Sequence, residues 1–336
     1  MKVGARRRMG GDGTSRARAR DWIDFDDVAA RDGGALRAVV KRARGDGETA
    51  GDEDARGRFR VDFKDWDSTR ALTASILRVK YDIHGWDIPS GHLVPPVPNR
   101  MNYLSWLHTL DALSAPAWRE AGDGAHVRVL DVGTGASAIY PLLGAATYGW
   151  SFVGSDVTDV ALKGAEANAR LNPRLDALIE IRDARASDGT FNVLRGVVKL
   201  DEKFTFCMCN PPFFESLDEA GLNPNTACGG TPTEMVCEGG EEAFIKAMFR
   251  DSLEMKHSIH WFTTMCGKKK TMTKMRSVFH TMRVPAVRTT ELVQGKTSRW
   301  CIAWSFSKDA AATNNKPLPD LEKLAKVREI CANARK

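Results

Sequence analysis

The tetrapeptide Asn210-Pro211-Pro212-Phe213 holds the residue types best suited to chemistry in this sequence. It follows the apolar run KFTFCMC, which reads as a buried strand. Two consecutive prolines cannot continue a central strand, so the chain must turn out at the strand's carboxyl end. In open α/β sheets that edge is where ligands bind. There the Asn210 side-chain carbonyl and the Pro211 backbone carbonyl offer two acceptors for the two hydrogens of an exocyclic amine. Phe213 offers a flat face for a heterocycle. Such an amine is a poor nucleophile because its lone pair is delocalised into the ring, and two acceptors favour a more tetrahedral nitrogen. Asn in place of Asp at 210 suits a reaction that needs no strong base before the new bond forms. The work left to the protein is alignment. A bare Pro-Pro loop with a buried Phe is the plainer alternative.

The second constellation is VLDVGTGAS, residues 129–137. A hydrophobic strand runs into Asp131-Val132-Gly133-Thr134-Gly135, whose glycines allow close backbone approach to a ligand. Position 138 is Ala, so this is not the dinucleotide pattern G-x-G-x-x-G. Asp156 closes the next apolar run, SFVGSD, 23 residues past Gly133, where a carboxylate can accept both hydroxyls of a ribose. This D-x-G-x-G followed by Asp resembles the S-adenosylmethionine site of class I methyltransferases. A sulfonium methyl is already electrophilic, so no metal is expected. No cysteine pair has C-x-x-C spacing to suggest one.

Weaker candidates flank these. Lys268, Lys269 and Lys270 follow a strand end, and Lys296 and Arg299 flank a turn. Both groups are solvated loops or phosphate contacts. Cys207 and Cys209 share one strand face and read as packing; Trp300 and Trp304 read as core.

The elements that must position these groups alternate. VRVLDV, SFVGSD, LIEIRD, KFTFCMCN and IHWFTTMCG read as strands, with Thr289–Val293 and Arg299–Phe306 as the last two. Helices are expected around Tyr140–Ala146, Val160–Ala169, Glu241–Leu253 and Met272–Thr281, and residues 215–233 as a loop. This rhythm predicts an α/β fold, a Rossmann-like, mostly parallel sheet with helices on both faces. Upstream, residues 21–42 are helical at each end, with Gly33-Gly34 between. Asp67 or Ser68 can cap a helix carrying Leu72, Ile76 and Leu77. The proline-rich stretch 88–100 is expected to be extended.

At 336 residues the chain can bury a full core, and its 43% hydrophobic and 27% charged content is ordinary for a globular protein. No long apolar run suggests a membrane span. Residues 1–20 carry seven cations against one acid, so the remaining 316 residues sum to zero and the net charge of +6 belongs to the arm. Such an arm suits phosphate backbones or is simply solvated. The expected organisation is a disordered basic arm over residues 1–20 and a small helical module over 21–98 with a linker at 43–58. A catalytic domain over 99–308 and a polar tail over 309–336 complete it.

The stretches FKDWDSTRALTASILR, PPVPNRMNYLSWL, DVGTGASAIYPLLGA, FCMCNPPFF, TEMVCEGGEEAF, CGKKK and QGKTSRWCIAWSF run from about residue 59 to 307. They resemble the methyltransferase-like protein 16 family and its bacterial counterparts acting on ribosomal RNA. The resemblance implies an RNA adenine-N6 methyltransferase with a class I fold and S-adenosylmethionine as cofactor. It implies catalysis at Asn210, Pro211, Pro212 and Phe213. Cofactor contacts would fall on Arg100, Asp131, Gly133, Thr134, Gly135, Asp156, Thr190 and Asn210. RNA contacts would fall on Arg16, Arg18, Arg20, Lys64, Lys268, Lys269, Lys296 and Arg299, with Lys296 standing where arginine is usual. The implied partner is structured RNA with an extruded adenosine, first of all a U6 spliceosomal RNA hairpin, met by a nuclear monomer. Ribosomal RNA is the alternative substrate. An RNA-binding splicing factor whose catalysis is incidental is the alternative role.

Overall fold

The computed structural model describes residues 15–18, 23–44, 61–120, 126–185, 193–221, 230–294 and 297–319. Among them, eight strands form one sheet: β1 (Ser15–Arg18), β2 (Arg128–Val132), β3 (Ser151–Asp156), β4 (Ile179–Asp183), β5 (Phe204–Cys209), β6 (Ile259–Cys266), β7 (Ala286–Gln294) and β8 (Thr297–Ser305). The helices before β4 are α1 (Phe25–Arg31), α2 (Ala35–Arg44), α3 (Trp66–Tyr81), α4 (Val97–Glu120), α5 (Ile139–Tyr148), α6 (Asp159–Arg170) and α7 (Pro173–Asp176). Those after β5 are α8 (Leu217–Gly221), α9 (Pro232–Met235), α10 (Gly240–Ser252), α11 (Lys269–Thr281) and α12 (Lys308–Ala311).

The strand order is β1-β7-β8-β6-β5-β2-β3-β4. β8 runs antiparallel to β6 and β7, and every other pair is parallel. β5 and β6 are buried along their whole length, so their sequences are mostly apolar without regular polar alternation, and the polar Thr205, His260, Thr263 and Thr264 are buried with the rest. Strand residues alternate between two apolar layers. Val129, Phe206, Met208, Trp261 and Met265 pack with α3, α4 and α5 on one face. Leu130, Cys207, Cys209, Phe262, Cys266 and Trp304 pack with α10 and α11 on the other. The expected doubly covered sheet is therefore present, with Cys207, Cys209 and Trp304 in its core. From β2 the chain winds one way through β3 and β4, and β5 and β6 lie on the other side. The reversal at β2 and β5 opens the crevice that such folds use for ligands.

Several expectations need correction. Residues 15–18 of the supposedly disordered arm form β1, parallel to β7, because an edge strand presents unpaired amides and carbonyls that a further strand can satisfy. The helical module expected over residues 21–98 is present as α1, α2 and α3, and its core is continuous with that of the sheet. Val28, Leu36, Leu72, Ile76 and Leu77 belong to the same apolar cluster as Tyr103, Val129 and Phe206. The proline-rich stretch ends early: α4 begins at Val97, with Pro98 in its first turn, where a missing N–H costs nothing. The cap of α3 is Asp65, which accepts from the Ser68 amide at 2.7 Å, upstream of the residues expected. The 215–233 loop carries α8 and α9. The polar tail begins with α12, whose Ala310 is fully buried together with nearby Thr313. Of the 43–58 linker, residues 43–44 close α2 and the rest lies outside the described residues.

Candidate functional site

β2 and β5 are neighbours, so the two motifs that follow them emerge side by side at the carboxyl edge of the sheet. After β2 the chain turns through Gly133 and Gly135, whose φ angles of +70° and +65° are left-handed and would strain any side chain. The turn is anchored from behind. The Gly133 and Thr134 amides both donate to the Ser155 carbonyl at 2.9 Å, and the Gly135 amide donates to Asp156 Oδ2 at 3.0 Å. Ala138 also takes a left-handed conformation, φ 45°, at the position where the dinucleotide pattern has glycine. The backbone path resembles that pattern although the residue does not.

Asp156 is fixed from its other side by the Val157 amide at 2.8 Å and by the Thr158 amide and hydroxyl at 3.2 and 3.4 Å. Its carboxylate is thus oriented before any ligand arrives. Arg100, on the first turn of α4, lies over the Tyr140 ring at 5.5 Å and donates to its hydroxyl at 3.4 Å. Asp131 is 1% exposed. Burial raises its pKa to about 7, and nearby Asp156 adds to the rise, while Thr134 and Arg100 oppose it.

β5 is held at its end by Tyr103 of α4. The Tyr103 hydroxyl is 2.8 Å from Thr263 Oγ1 and accepts from the Cys209 amide at 3.4 Å. Asn210 follows directly, then Pro211, which is buried, and the half-buried Pro212 and Phe213. The backbone of Phe214 is pinned to the next segment: its amide donates to the Met235 carbonyl at 3.0 Å, and its carbonyl accepts from the Cys237 amide at 3.1 Å.

Several polar atoms gather at this edge without partners. Both Asp131 carboxylate oxygens, Thr134 Oγ1, Asn210 Oδ1 and Arg100 Nε are buried and make no hydrogen bond among the described residues. Orphaned buried polar groups are costly, and a native protein keeps them for a ligand or a reaction. Acceptors on Asp131 and Asn210, a guanidinium on Arg100 and an oriented carboxylate on Asp156 match a ligand carrying ammonium, carboxylate and ribose groups. S-adenosylmethionine has all three, so the residues present fit it.

The structure therefore brings Arg100, Asp131, Gly133, Thr134, Gly135, Asp156 and Asn210–Phe213 to one edge, while Thr190 lies outside the described residues. The chain re-enters at Val193 and Leu194, whose amides are held by the buried Asp251 carboxylate. The expected RNA contacts are more scattered. Arg16 and Arg18 lie on β1, in register with Glu291 and Val293. Arg20 and Lys296 lie outside the described residues, and Lys64 is exposed ahead of α3. Lys268 is ion-paired with Glu219, and Lys269 opens α11. Arg299 is not a free surface cation. Its guanidinium lies over the Phe213 ring at 5.5 Å. Its pKa is lowered, first by burial and then by the charge of Arg100. Sequence reasoning missed Tyr103 and Tyr140, which sit edge to face at 5.7 Å. Tyr140 only opens an expected apolar helix there, and only a hydroxyl distinguishes either residue from Phe.

Comparison with known proteins agrees with this geometry. The Methyltransf_10 family of RNA methyltransferases matches residues 51–308. Ribosomal RNA large subunit methyltransferase F of Pseudomonas aeruginosa (strain LESB58) is 37% identical over 267 residues, covering 74% of this chain and 78% of that protein. Human RNA N(6)-adenosine-methyltransferase METTL16 is 35% identical over 284 residues, covering 81% of this chain and 48% of that longer protein. The human METTL16 catalytic domain in complex with MAT2A 3'UTR hairpin 1 superposes with a TM-score of 0.73 at 33% identity, covering 88% of this chain and 96% of that one. The human METTL16 N-terminal domain in complex with SAH gives 0.68 at 32% identity, covering 88% of this chain and all of that one. With a family model over residues 51–308 and a relative 37% identical across 78% of its length, this chain belongs to the RNA methyltransferase family as an S-adenosylmethionine-dependent enzyme.

Proposed function

We propose that the protein methylates N6 of an adenosine extruded from structured RNA, with a U6-type hairpin as its substrate. The observation that carries this reading is the orphaned Asn210 Oδ1, buried beside Pro211 and Phe213 at the sheet edge. In a duplex N6 is paired and its ring stacked, so the base must leave the stack to react. S-adenosylmethionine supplies an electrophilic methyl on sulfonium, and the chain supplies the rest. Asn210 Oδ1 and the Pro211 carbonyl accept the two N6 hydrogens and favour a more tetrahedral nitrogen whose lone pair is less delocalised into the ring. Phe213 holds the base by stacking. Asp156 holds the ribose of the cofactor, while Asp131 and Arg100 hold its charged end. The proton leaves N6 after the nitrogen has become cationic, so no strong base is required. Arg16, Arg18, Lys64, Lys268 and Lys269 contact the phosphate backbone in this scheme. The protein acts as a monomer in the nucleus.

A ribosomal substrate is the second reading, favoured by the 37% identity to the bacterial ribosomal RNA enzyme across 78% of its length. One experiment separates the two. Methyl transfer from labelled S-adenosylmethionine is measured on total RNA with nucleoside analysis, beside a hairpin carrying the U6 methylation sequence. N6-methyladenosine with preference for the hairpin supports the first reading. Labelling of ribosomal RNA and not of the hairpin supports the second. No labelled adenosine in either, with cofactor still bound, refutes both.

A further inference from the structure

We propose that Glu241 and Gly267 are positioning residues that set the tilt of the Phe213 ring, and through it the plane in which a base is presented to Asn210. The inference rests on the base-stacking role given to Phe213 above. Glu241 lies on the first turn of α10 and is 3% exposed. A carboxylate this buried needs donors. Its Oε2 accepts from the Gly267 amide at 2.5 Å and its Oε1 from the Lys268 amide at 3.1 Å. These two amides form the turn between β6 and α11, so one buried side chain fixes that turn.

The turn faces the aromatic ring. A Cβ on Gly267 would stand 3.0 Å from Phe213 Cδ1, 3.2 Å from its Cγ and 3.1 Å from Glu241 Oε2. Gly267 is not among the glycines with positive φ. Space, and not backbone freedom, is what excludes a side chain there. The ring therefore rests against bare backbone that Glu241 holds still. The same strand-exit segment is fixed from a second direction. Phe214 pairs through its backbone with Met235 and Cys237, and the chain runs from Cys237 to Glu241 within four residues. One segment thus pins the backbone after Phe213 and sends Glu241 to brace the turn under its ring. With the backbone pinned, a methyl at 267 must displace the ring, or the Glu241 carboxylate that braces the turn, by a few tenths of an ångström.

The test is a double-mutant cycle on the full chain, using the RNA hairpin that the wild type methylates best. Gly267→Ala and Glu241→Gln are each expected to lower kcat about tenfold, the scale of a sub-ångström misalignment, with S-adenosylhomocysteine affinity unchanged. In a Phe213→Ala background both are expected to have no further effect, because the ring they position is gone. The same hairpin with 2-aminopurine at the target gives a readout independent of turnover. Quenching by stacking should weaken in Gly267→Ala and be insensitive to it in Phe213→Ala. Multiplicative losses in the double variants, or an equal loss of cofactor affinity, would overturn the inference, since a merely structural role gives those. Should Gly267→Ala not fold, Glu241→Gln carries the same cycle. If Phe213→Ala retains full activity, the base-stacking reading fails and this inference falls with it. If Phe213→Ala is impaired and Gly267→Ala is not, only the positioning inference fails.

Discussion

Replacing Asp131 by Asn should stabilise the cofactor-free protein at neutral and higher pH while weakening cofactor binding. The carboxyl is buried, with only the Thr134 hydroxyl and the charge of Arg100 to offset its desolvation. Its pKa stands at about 7, against 3.8 for an unperturbed Asp. That difference corresponds to about 4 kcal/mol between the two protonation states, at about 1.4 kcal/mol per pH unit. The native chain binds this proton more tightly than the unfolded chain does. The associated stability is therefore full below pH 3.8 and is lost as pH rises to about 7. Between pH 5 and pH 8 the loss is about 3 kcal/mol. Asn does not titrate, so the variant should lack this loss. Urea denaturation of both proteins without cofactor, at pH 5 and pH 8, measures the difference, and other titrating groups cancel between them. Calorimetry with S-adenosylhomocysteine should give the mirror image. Wild-type affinity should rise with pH up to about 7 as the carboxylate ionises, whereas the variant should bind weakly at every pH. Stability profiles that run parallel for the two proteins would refute the assignment of a desolvated, ligand-awaiting carboxylate.

Asn210→Ala removes one of the two acceptors on the reacting amine and should lower kcat roughly 100- to 1000-fold while most cofactor affinity survives; full turnover in single-turnover assays would sink the scheme. Tyr103→Phe leaves Thr263 Oγ1 and the Cys209 amide without that hydroxyl. It should cost about 1 kcal/mol in denaturant unfolding and lower kcat more than it changes cofactor affinity. Deleting residues 1–24 removes the basic arm and β1 but leaves α1, α2 and their buried Val28 and Leu36 in place. RNA affinity should fall and the slope of log affinity against log salt should become shallower; equal affinity at physiological salt would exclude the arm as an RNA contact.

The sequence carried the repeating parts of this protein. Every apolar run read as a strand from residue 127 onward is one, and SFVGSD matches β3 residue for residue. A strand buried on both faces leaves an uninterrupted apolar record, and a Pro-Pro pair leaves an equally local mark of where it must stop. The catalytic edge was legible for the same reason: Asp131 and Asp156 lie at the ends of β2 and β3 and Asn210 follows directly on β5, so their address needs no knowledge of the fold. Tertiary structure decided what depends on distant neighbours. Arg100 meets Tyr140 and acts on Asp131 only because α4 crosses that end of the sheet. The helices before residue 82 share the main core because the apolar faces they turn toward one another continue onto α4 and α5. Basic residues 16 and 18 become part of a strand because β7 has an open edge. Arg299 rests on Phe213 and not in solvent because β8 returns antiparallel beside β6 and ends the sheet's reach over the site. Local pattern fixes an element's type and ends, but burial and electrostatics are sums over neighbours, and those neighbours are far apart in the chain.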